Sequence, residues 1–315
     1  MNSIAGKNIL SLNELTKEEI LKILDIANIL KNKKNNNVFP QVLKNKVLGM
    51  LFQKPSTRTR ISFEVGMFQL GGHAIDLSFA DSQISRGESL QDTGKILSKY
   101  VDVLMARVYN HQDLLNLSTG SNIPLINGLS DSYHPCQTLA DLFTIQEKKN
   151  IFPELKVAYV GDGNNVANSL IIGCSKIGID ISVITPLKYK PNPEAINLAI
   201  KNSKITGSDL IFTDDINGVS NADVIYTDVW MSMGFENEGD NRINTFKSKY
   251  QINKAVMKKA NLDAIFMHCM PIKRGFEVTS EVVDSSQSVI WEQAENRLHT
   301  QNALLCLLLN ENLNL

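Results

Sequence analysis

The sequence lacks the features that mark several whole classes of protein. Its four cysteines stand far apart and form no C-x-x-C pair, so neither a zinc ribbon nor a disulfide framework is expected. The longest apolar runs, such as residues 47–52, are much shorter than the ~20 residues of a membrane-spanning helix. Residues 1–12 have the pattern of neither a signal peptide nor a transit peptide.

The chain also lacks an excess of positive or negative charge. The 32 basic and 33 acidic residues leave a net charge of −1, so the chain as a whole attracts neither nucleic acid nor a membrane surface. Any anion site must therefore be built locally. Together these absences predict a cytoplasmic protein with no nucleic-acid or membrane partner.

What the sequence does contain is an alternation of short apolar runs with helical patterns. Near-continuous apolar strands between helices are typical of parallel sheets covered on both faces. Because 315 residues exceed what one core usually holds, we predict an α/β protein of two doubly wound domains, each a mostly parallel sheet flanked by helices. Strands are predicted at residues 47–52, 74–77, 101–106, 124–127, 156–160, 181–184, 210–213, 224–227, 264–267 and 289–291. Helices are predicted after Thr16 and near residues 58–70, 89–99, 134–149, 164–177, 193–203, 253–259 and 294–311.

The pattern restarts near residue 150. A helix that ends in a charged run is followed by Pro153 and then by a new strand, which is typical of a domain junction. The last predicted helix is apolar along one face and must be buried, so we expect it to return to the first domain. The predicted domains are residues 1–149 with 295–315, and residues 150–294.

Unusual polar residues follow six of the predicted strands, three in each half of the chain. In open α/β sheets, ligands bind outside the carboxyl ends of the strands, so we expect these clusters to form a site in a cleft between the domains. They are residues 55–60, Arg107, residues 134–137, residues 162–165, residues 228–234 and residues 268–271.

The first cluster is the most specific. Pro55 ends a strand, and Ser56 is a good N-cap for the helix that follows. The N–H groups and the positive end of a helix favour an anion, and the guanidinium groups of Arg58 and Arg60 suit a phosphate. The alternative is a capped surface helix with two solvated arginines.

Gly161-x-Gly163 after a strand hints at a dinucleotide site, but two parts of that fingerprint are missing. Val166 stands where the third glycine would fall, and the next strand ends without an acidic residue for a ribose hydroxyl. These failures disfavour a nicotinamide dehydrogenase. The adjacent Asn164 and Asn165 suit a ligand carboxylate, although a plain Asx turn is the alternative.

Three further residues have a functional and a structural interpretation. Asp228 leads into a Gly-containing loop, and the polar residues 236–242 suggest a mobile lid or an ordinary surface connection. Cys269 is either a reactive thiol or a buried one, and His134 is either a site residue or a core histidine. The histidines show no metal-ligand spacing, so no metal is predicted.

Taken in order, these motifs resemble the aspartate/ornithine carbamoyltransferase family, and within it the members that act on ornithine. The resemblance covers almost the whole chain. It rests on Ser-Thr-Arg-Thr-Arg at 56–60, Gln83, Arg107, His-Pro-Cys-Gln at 134–137, residues 164–165, Asp228, Ser-Met-Gly at 232–234, His-Cys-Met-Pro at 268–271 and Arg297. Met270 departs from the usual Leu, and Ser85 departs from a common Gly. At the position of Met270 the family binds its ligand through a backbone carbonyl, so Met should preserve that contact.

The resemblance implies a role for each motif. The carbamoyl phosphate site would comprise Ser56, Thr57, Arg58, Thr59, Arg60, Gln83, Arg107, His134, Gln137, Cys269, Met270 and Arg297. The ornithine site would comprise Asn165, Asp228, Ser232 and Met233. Arg107, His134, Asp228 and Cys269 would be catalytic, and Gln83 would come from a neighbouring subunit of a homotrimer.

The implied reaction transfers the carbamoyl group of carbamoyl phosphate to the side-chain amine of ornithine, and it needs no cofactor. The family resemblance assigns the first domain to carbamoyl phosphate and the second to ornithine. The open alternatives are a carbamoyltransferase for putrescine or aspartate and a non-catalytic sensor of carbamoyl phosphate. The sequence does not show whether arginine is made or broken down.

Overall fold

The computed structural model describes residues 4–150, 152, 154–231, 239–311 and 313–315, and for residues 239–241 the main chain alone. By internal contacts the chain divides into two compact units, each described separately below. Unit 1 comprises Met1–Leu139 and Arg297–Leu315, and unit 2 comprises Ala140–Asn296.

The described elements alternate as the sequence pattern predicts. The strands are β1 (Val47–Phe52), β2 (His73–Ser78), β3 (Val103–Arg107), β4 (Leu125–Leu129), β5 (Lys156–Val160), β6 (Asp180–Ile184), β7 (Leu210–Thr213), β8 (Val224–Thr227) and β9 (Ile265–His268). The helices are α1 (Lys17–Asn35), α2 (Thr57–Gln69), α3 (Leu90–Leu97), α4 (His111–Gly120), α5 (Pro135–Lys149), α6 (Asn165–Ile177), α7 (Pro193–Thr206), α8 (Gly239–Lys247), α9 (Lys254–Met257), α10 (Ser280–Val283) and α11 (Ile290–Leu309).

Unit 1 is built on a parallel sheet with the strand order β2-β1-β3-β4. Strands β3 and β4 are buried along their whole length, as expected for a sheet with both faces covered. The strand order reverses between β1 and β3, so a crevice is expected at their carboxyl ends. The residues that follow β1 and end β3 are those of the first two polar clusters.

Unit 2 repeats this plan with the strand order β7-β6-β5-β8-β9, and all of its pairs are parallel. The order reverses between β5 and β8. Its core is formed by apolar side chains that include Phe246, Ile225 and Phe266. The parallel α/β fold predicted for each half of the chain is therefore confirmed.

The local signals explain most helix ends. Thr16 and Glu19 form the predicted capping box, in which each side chain accepts the backbone N–H of the other residue, at 3.2 and 2.9 Å. Helix α4 was not predicted, although Asn110 caps it by accepting a bond from Gln112 N at 2.9 Å. A periodic apolar pattern is weak over so few residues.

The strand predicted at residues 289–291 is wrong. Ser288 forms an isolated bridge with Phe266, and helix α11 begins at Ile290. Only Val289 and Ile290 of this run are buried, and so short an apolar run fits a strand or a helix start equally well, so periodicity could not separate them. The predicted domain limits lie near the observed division, which falls within α5 and α11.

Among the described residues, no helix combines the length and the apolar character needed to cross a membrane.

Candidate active site

The helix start after β1 has features that favour an anion. Ser56 occupies the N-cap position of α2 with extended backbone angles, but its side chain makes no capping hydrogen bond. The first N–H groups of a helix have no partner within the helix, and here Ser56 does not cap them. Together with the positive end of the helix dipole, this favours a negatively charged ligand.

Arg297 connects its own helix to two other segments of unit 1 by hydrogen bonds. One terminal nitrogen donates to Gln137 Oε1 at 2.8 Å and lies 3.5 Å from His134 Nε2. The other donates to Thr59 Oγ1 at 3.1 Å. All four side chains are buried. The structure therefore places Thr59, His134, Gln137 and Arg297 in one cluster.

The charges around this cluster are mostly of one sign. Burial lowers the pKa of Arg107 to about 10, and the positive charges of Arg297 and Arg58 contribute further. Burial also holds the pKa of His134 well below its ordinary value, helped by Arg297, Arg107 and Arg58. His134 is therefore neutral at pH 7, and the positive charge around it comes from these three arginines. A dianion would offset their mutual repulsion.

Two residues of the predicted carbamoyl phosphate set lie apart from this cluster. The guanidinium group of Arg60 binds Glu64 at 3.1 Å and Asp76 at 3.0 Å. One carboxylate lies one helical turn along and the other is on the neighbouring strand β2, so the side chain turns toward them. Gln83 is exposed in a short 3₁₀ helix, Gln83–Arg86.

Asp228 is the centre of the polar cluster of unit 2. It follows β8 directly and is buried. Its Oδ1 accepts bonds from Cys269 Sγ at 2.9 Å and Val229 N at 2.8 Å, and its Oδ2 accepts one from Asn164 Nδ2 at 2.7 Å. The carboxyl ends of β5, β8 and β9 thus meet at one carboxylate, and Cys269 is only partly buried.

Asn164 and its neighbours explain the false dinucleotide signal. Asn164 Oδ1 caps α6 by accepting bonds from the backbone N–H of Val166 and Ala167, while Asn165 is half-buried in the first turn. Gly163 is required because a Cβ there would lie 2.3 Å from the backbone of Lys190. Its role is close packing rather than the approach of a pyrophosphate.

The turn that carries Cys269 is held by His268. His268 Nδ1 accepts a bond from Met270 N at 2.8 Å, so the ring proton is on Nε2, which donates to Glu277 Oε1 at 3.2 Å. Met270 has a φ of +58°, which is uncommon for a side chain other than Gly. Glu277 was not found from the sequence because it belongs to no motif and lies in a loop.

The last residues of the segment 236–242, interpreted as a mobile lid or a surface connection, belong to helix α8. Arg242 lies in α8 and is buried, and it donates to Asp162 Oδ2 and to Trp230 O, both at 2.8 Å. A run of polar residues suggested a solvated loop. In the structure Arg242 is buried because it binds the carboxylate of Asp162, which follows β5. Ser232 and Met233 lie outside the described residues.

Asp228, His268 and Cys269 also resemble a metal site in one respect. Each offers a possible ligand atom, and these atoms lie within 4.8 Å of one another. However, both ring nitrogens of His268 are already engaged, by Met270 N and by Glu277. Metal binding would have to break one of these bonds, so we assign no metal to this group.

Both halves of the chain match models of one protein family. Residues 7–147 match the family model described as the carbamoyl-P binding domain of aspartate/ornithine carbamoyltransferase. Residues 153–308 match the model described as the Asp/Orn binding domain of the same family.

Individual relatives match over almost the whole chain. An ornithine carbamoyltransferase of Pyrococcus abyssi is 50% identical over 308 residues, which cover 98% of this chain and 97% of that protein. A relative from Pyrococcus furiosus, named as an anabolic ornithine carbamoyltransferase, is also 50% identical, over 98% of both chains. A solved structure of ornithine carbamoyltransferase from Pyrococcus furiosus superposes with a TM-score of 0.95 at 49% identity, covering 98% of this chain and 99% of that one.

Proposed function

The chain belongs to the aspartate/ornithine carbamoyltransferase family, and on that premise we propose that it transfers the carbamoyl group of carbamoyl phosphate to the side-chain amine of L-ornithine. The products are L-citrulline and phosphate. The observation that carries the proposal is the buried cluster of Arg297 with Thr59, His134 and Gln137 beside the uncapped start of α2.

Carbamoyl phosphate has a dianionic phosphate and a neutral amide, and unit 1 offers groups suited to each. Ser56, Thr57 and the start of α2 supply hydroxyl and N–H donors for the phosphate, and Arg58 and Arg107 supply positive charge. Gln137 has a side-chain amide that can bind the carbamoyl amide. Arg60 is left out of this assignment because it is bound to Glu64 and Asp76.

His134 and Arg107 are suited to stabilise the charge that develops on the carbamoyl oxygen. When the amine attacks, the C=O electrons move onto this oxygen. Because the pKa of His134 is held well below its ordinary value, the ring is a neutral N–H donor rather than an acid that would give up its proton early. Removal of one such donor commonly costs about 10²- to 10³-fold in turnover.

In unit 2 the carboxylate of Asp228 is suited to hold the α-ammonium group of ornithine. A carboxylate accepts about four hydrogen bonds, and Asp228 already accepts from Cys269, Asn164 and Val229. One further acceptor position fits an ammonium group. We assign the α-carboxylate of ornithine to Asn165 and to Ser232 and Met233, the last two on the basis of the family resemblance.

The side-chain amine must lose its proton before it attacks. A lysine-like amine has a pKa of about 10.4, so deprotonation near pH 7.4 costs on the order of 4 kcal/mol. A carboxylate next to this amine would keep it charged, whereas a thiol such as that of Cys269 would not. The lone pair of the neutral amine then forms the C–N bond, and the C–O bond to phosphate breaks. Phosphate accepts the second proton, which the nitrogen loses as this bond forms.

A citrulline assay tests this function directly. The purified protein is incubated with carbamoyl phosphate and ornithine, and in parallel with putrescine or aspartate in place of ornithine. We expect citrulline with ornithine and turnover at least about 100-fold slower with the other two, because putrescine lacks the α-carboxylate that the site is proposed to bind and aspartate lacks the side-chain amine that attacks. Equal turnover of putrescine would contradict the role of Asn165 in binding the α-carboxylate.

We also propose a homotrimer in the cytoplasm, with Gln83 reaching the site of a neighbouring subunit. The trimer and the role of Gln83 rest on the family resemblance, and the compartment rests on four cysteines that are all free thiols. Arginine synthesis is the proposed direction, since one relative at 50% identity is named as anabolic. Light scattering that gives the mass of one chain would contradict the assembly.

A further inference from the structure

A line of buried polar side chains in unit 2 has no part in the mechanism above. Asp141 on α5 is fully buried, and so are Gln293 on α11 and Tyr226 on β8. Asp141 Oδ1 accepts a bond from Gln293 Nε2 at 2.7 Å, and its Oδ2 accepts one from the Tyr226 hydroxyl at 3.2 Å. A buried carboxylate is costly even when it is bonded, so its presence here calls for a reason.

This series of hydrogen bonds extends from Asp141 to the turn that carries Cys269. Gln293 Oε1 accepts a bond from His268 N at 2.8 Å, and His268 Nδ1 accepts one from Met270 N at 2.8 Å. The two N–H groups belong to the residues on either side of Cys269. Its backbone is therefore held from both sides while its Sγ reaches Asp228.

Asp141 determines which way the Gln293 amide points. Gln293 can accept the His268 N–H only if its NH₂ group faces the other way and finds an acceptor there. Both carboxylate oxygens of Asp141 accept hydrogen bonds here, so Asp141 fixes this orientation, whereas a donor in its place would favour the flipped amide. We propose that Asp141 and Gln293 are positioning residues that hold the Cys269 turn for the attacking amine, an inference that rests on the proposed function.

A neighbouring pair of side chains provides a matched control on the same two helices. Thr144 is fully buried on α5, and its hydroxyl accepts a bond from Asn296 Nδ2 on α11 at 2.9 Å and donates to Ala140 O at 2.7 Å. Thr144→Val removes this bond with little change of shape, while Asn296 Nδ2 keeps its bond to Glu147 Oε2 on α5 at 2.7 Å. It should cost stability without moving the Cys269 turn.

The primary readout is the rate at which iodoacetamide alkylates Cys269 without substrates, followed by mass spectrometry of the peptide. Cys136, Cys174 and Cys306 are buried, and burial raises the pKa of Cys136 to about 11 and of Cys306 to about 12, so they react slowly. The second readout is kcat and the KM for ornithine. Melting temperature is recorded for every variant.

Gln293→Met removes the acceptor for His268 N and the donor to Asp141 at almost constant volume. We expect the Cys269 alkylation rate to change by at least about threefold and kcat to fall about 10- to 100-fold, the scale for a displaced reacting group. Thr144→Val should leave both values within about twofold, the usual error of additivity. An alkylation rate in Gln293→Met equal to that of the wild type would overturn the proposal.

Exchanging the carboxylate and the amide between Asp141 and Gln293 tests their pairing even if Gln293→Met folds poorly. Gln293→Glu places two carboxylates together and should lower kcat, whereas Asp141→Asn combined with Gln293→Glu restores one donor and one acceptor between the two positions. We expect the double variant to regain kcat and the alkylation rate to within about threefold of the wild type. A double variant as slow as Gln293→Glu would refute the pairing. Absence of citrulline from the wild type would instead refute the proposed function, and the alkylation test would still decide on the positioning.

Discussion

The most demanding test of the proposed carbamoyl phosphate site is Arg297→Lys, because this substitution keeps the positive charge and removes the planar guanidinium group. Arg297 bonds Gln137 Oε1 and Thr59 Oγ1 from two different nitrogens, at 2.8 and 3.1 Å. A guanidinium group reaches both acceptors at once, whereas a lysine ammonium on a flexible stem is a point charge. We expect the lysine to bond one of the two acceptors and to lose the other.

The expected loss of activity follows from the loss of one of these two hydrogen bonds. One hydrogen bond from a charged donor contributes about 1.5–3 kcal/mol. At about 1.36 kcal/mol per factor of ten, its loss lowers kcat/KM for carbamoyl phosphate by about 10- to 150-fold. A purely electrostatic role for Arg297 predicts almost no loss, since the net charge of the site is unchanged. The two interpretations differ by at least about one order of magnitude.

The assay measures initial citrulline formation at several carbamoyl phosphate concentrations, well below the melting temperature of each variant. Arg274→Lys is the matched control, because Arg274 makes a bidentate pair with Asp284 at 2.7 and 2.8 Å on the exposed surface of unit 2. It should retain kcat/KM within about twofold, since exposed ion pairs contribute little. A kcat/KM for Arg297→Lys within threefold of the wild type would refute the bridging role of Arg297.

The remaining predictions concern single side chains. Arg58→Ala should lose about 10²- to 10⁴-fold in activity, whereas Arg60→Ala should lose less than about tenfold because its guanidinium is bound to carboxylates; equal losses in the citrulline assay would be a contradiction. Cys269→Ser should raise the KM for ornithine about tenfold and leave that for carbamoyl phosphate nearly unchanged, and steady-state kinetics with an unaltered KM for ornithine would remove Cys269 from the amine site. The pKa of His134 lies well below 6.5 in the folded state, so the unfolded chain takes up a proton first as pH falls below about 6.5, and folding stability then decreases by up to about 1.4 kcal/mol per pH unit. His134→Gln should reduce this slope in urea melts between pH 7.5 and 5, and an identical slope would show that His134 is not held neutral.

The sheets were predictable because their signal is local. The strands β1, β5, β7 and β8 lie at the predicted residues, since each is a short apolar run with polar residues or turn residues on both sides. Their parallel arrangement follows from the helices between them. The wrong strand at 289–291 and the missed α4 have the same cause, which is that very short apolar patterns fit several structures.

The position of the polar residues was predictable, but their partners were not. The strand-end rule placed Asp228, Asn164 and Cys269 at one edge of a sheet, and the structure joins them directly. The same rule gave no reason to connect Arg297 with Thr59, because Arg297 lies in the middle of a helix and the two are 238 residues apart. Only the family resemblance suggested Arg297.

Arg60 and Arg242 show why charge patterns mislead when read alone. Both were interpreted from neighbouring polar residues, one as a phosphate ligand and the other as part of a solvated loop. In the structure each is bound to carboxylates, Arg60 to Glu64 and Asp76 and Arg242 to Asp162. The direction of a long charged side chain depends on acceptors brought close by folding, which no local sequence window contains.

The state of His134 follows from the same kind of distant partner. Burial and the charges of Arg297, Arg107 and Arg58 together keep the ring neutral, and these three arginines come from three separate segments of the chain. An isolated His-Pro-x-Gln motif would leave His134 with an ordinary pKa near 6.5, partly protonated in the range where the enzyme is proposed to work. The motif therefore supplies the imidazole, and the fold determines that the ring stays neutral.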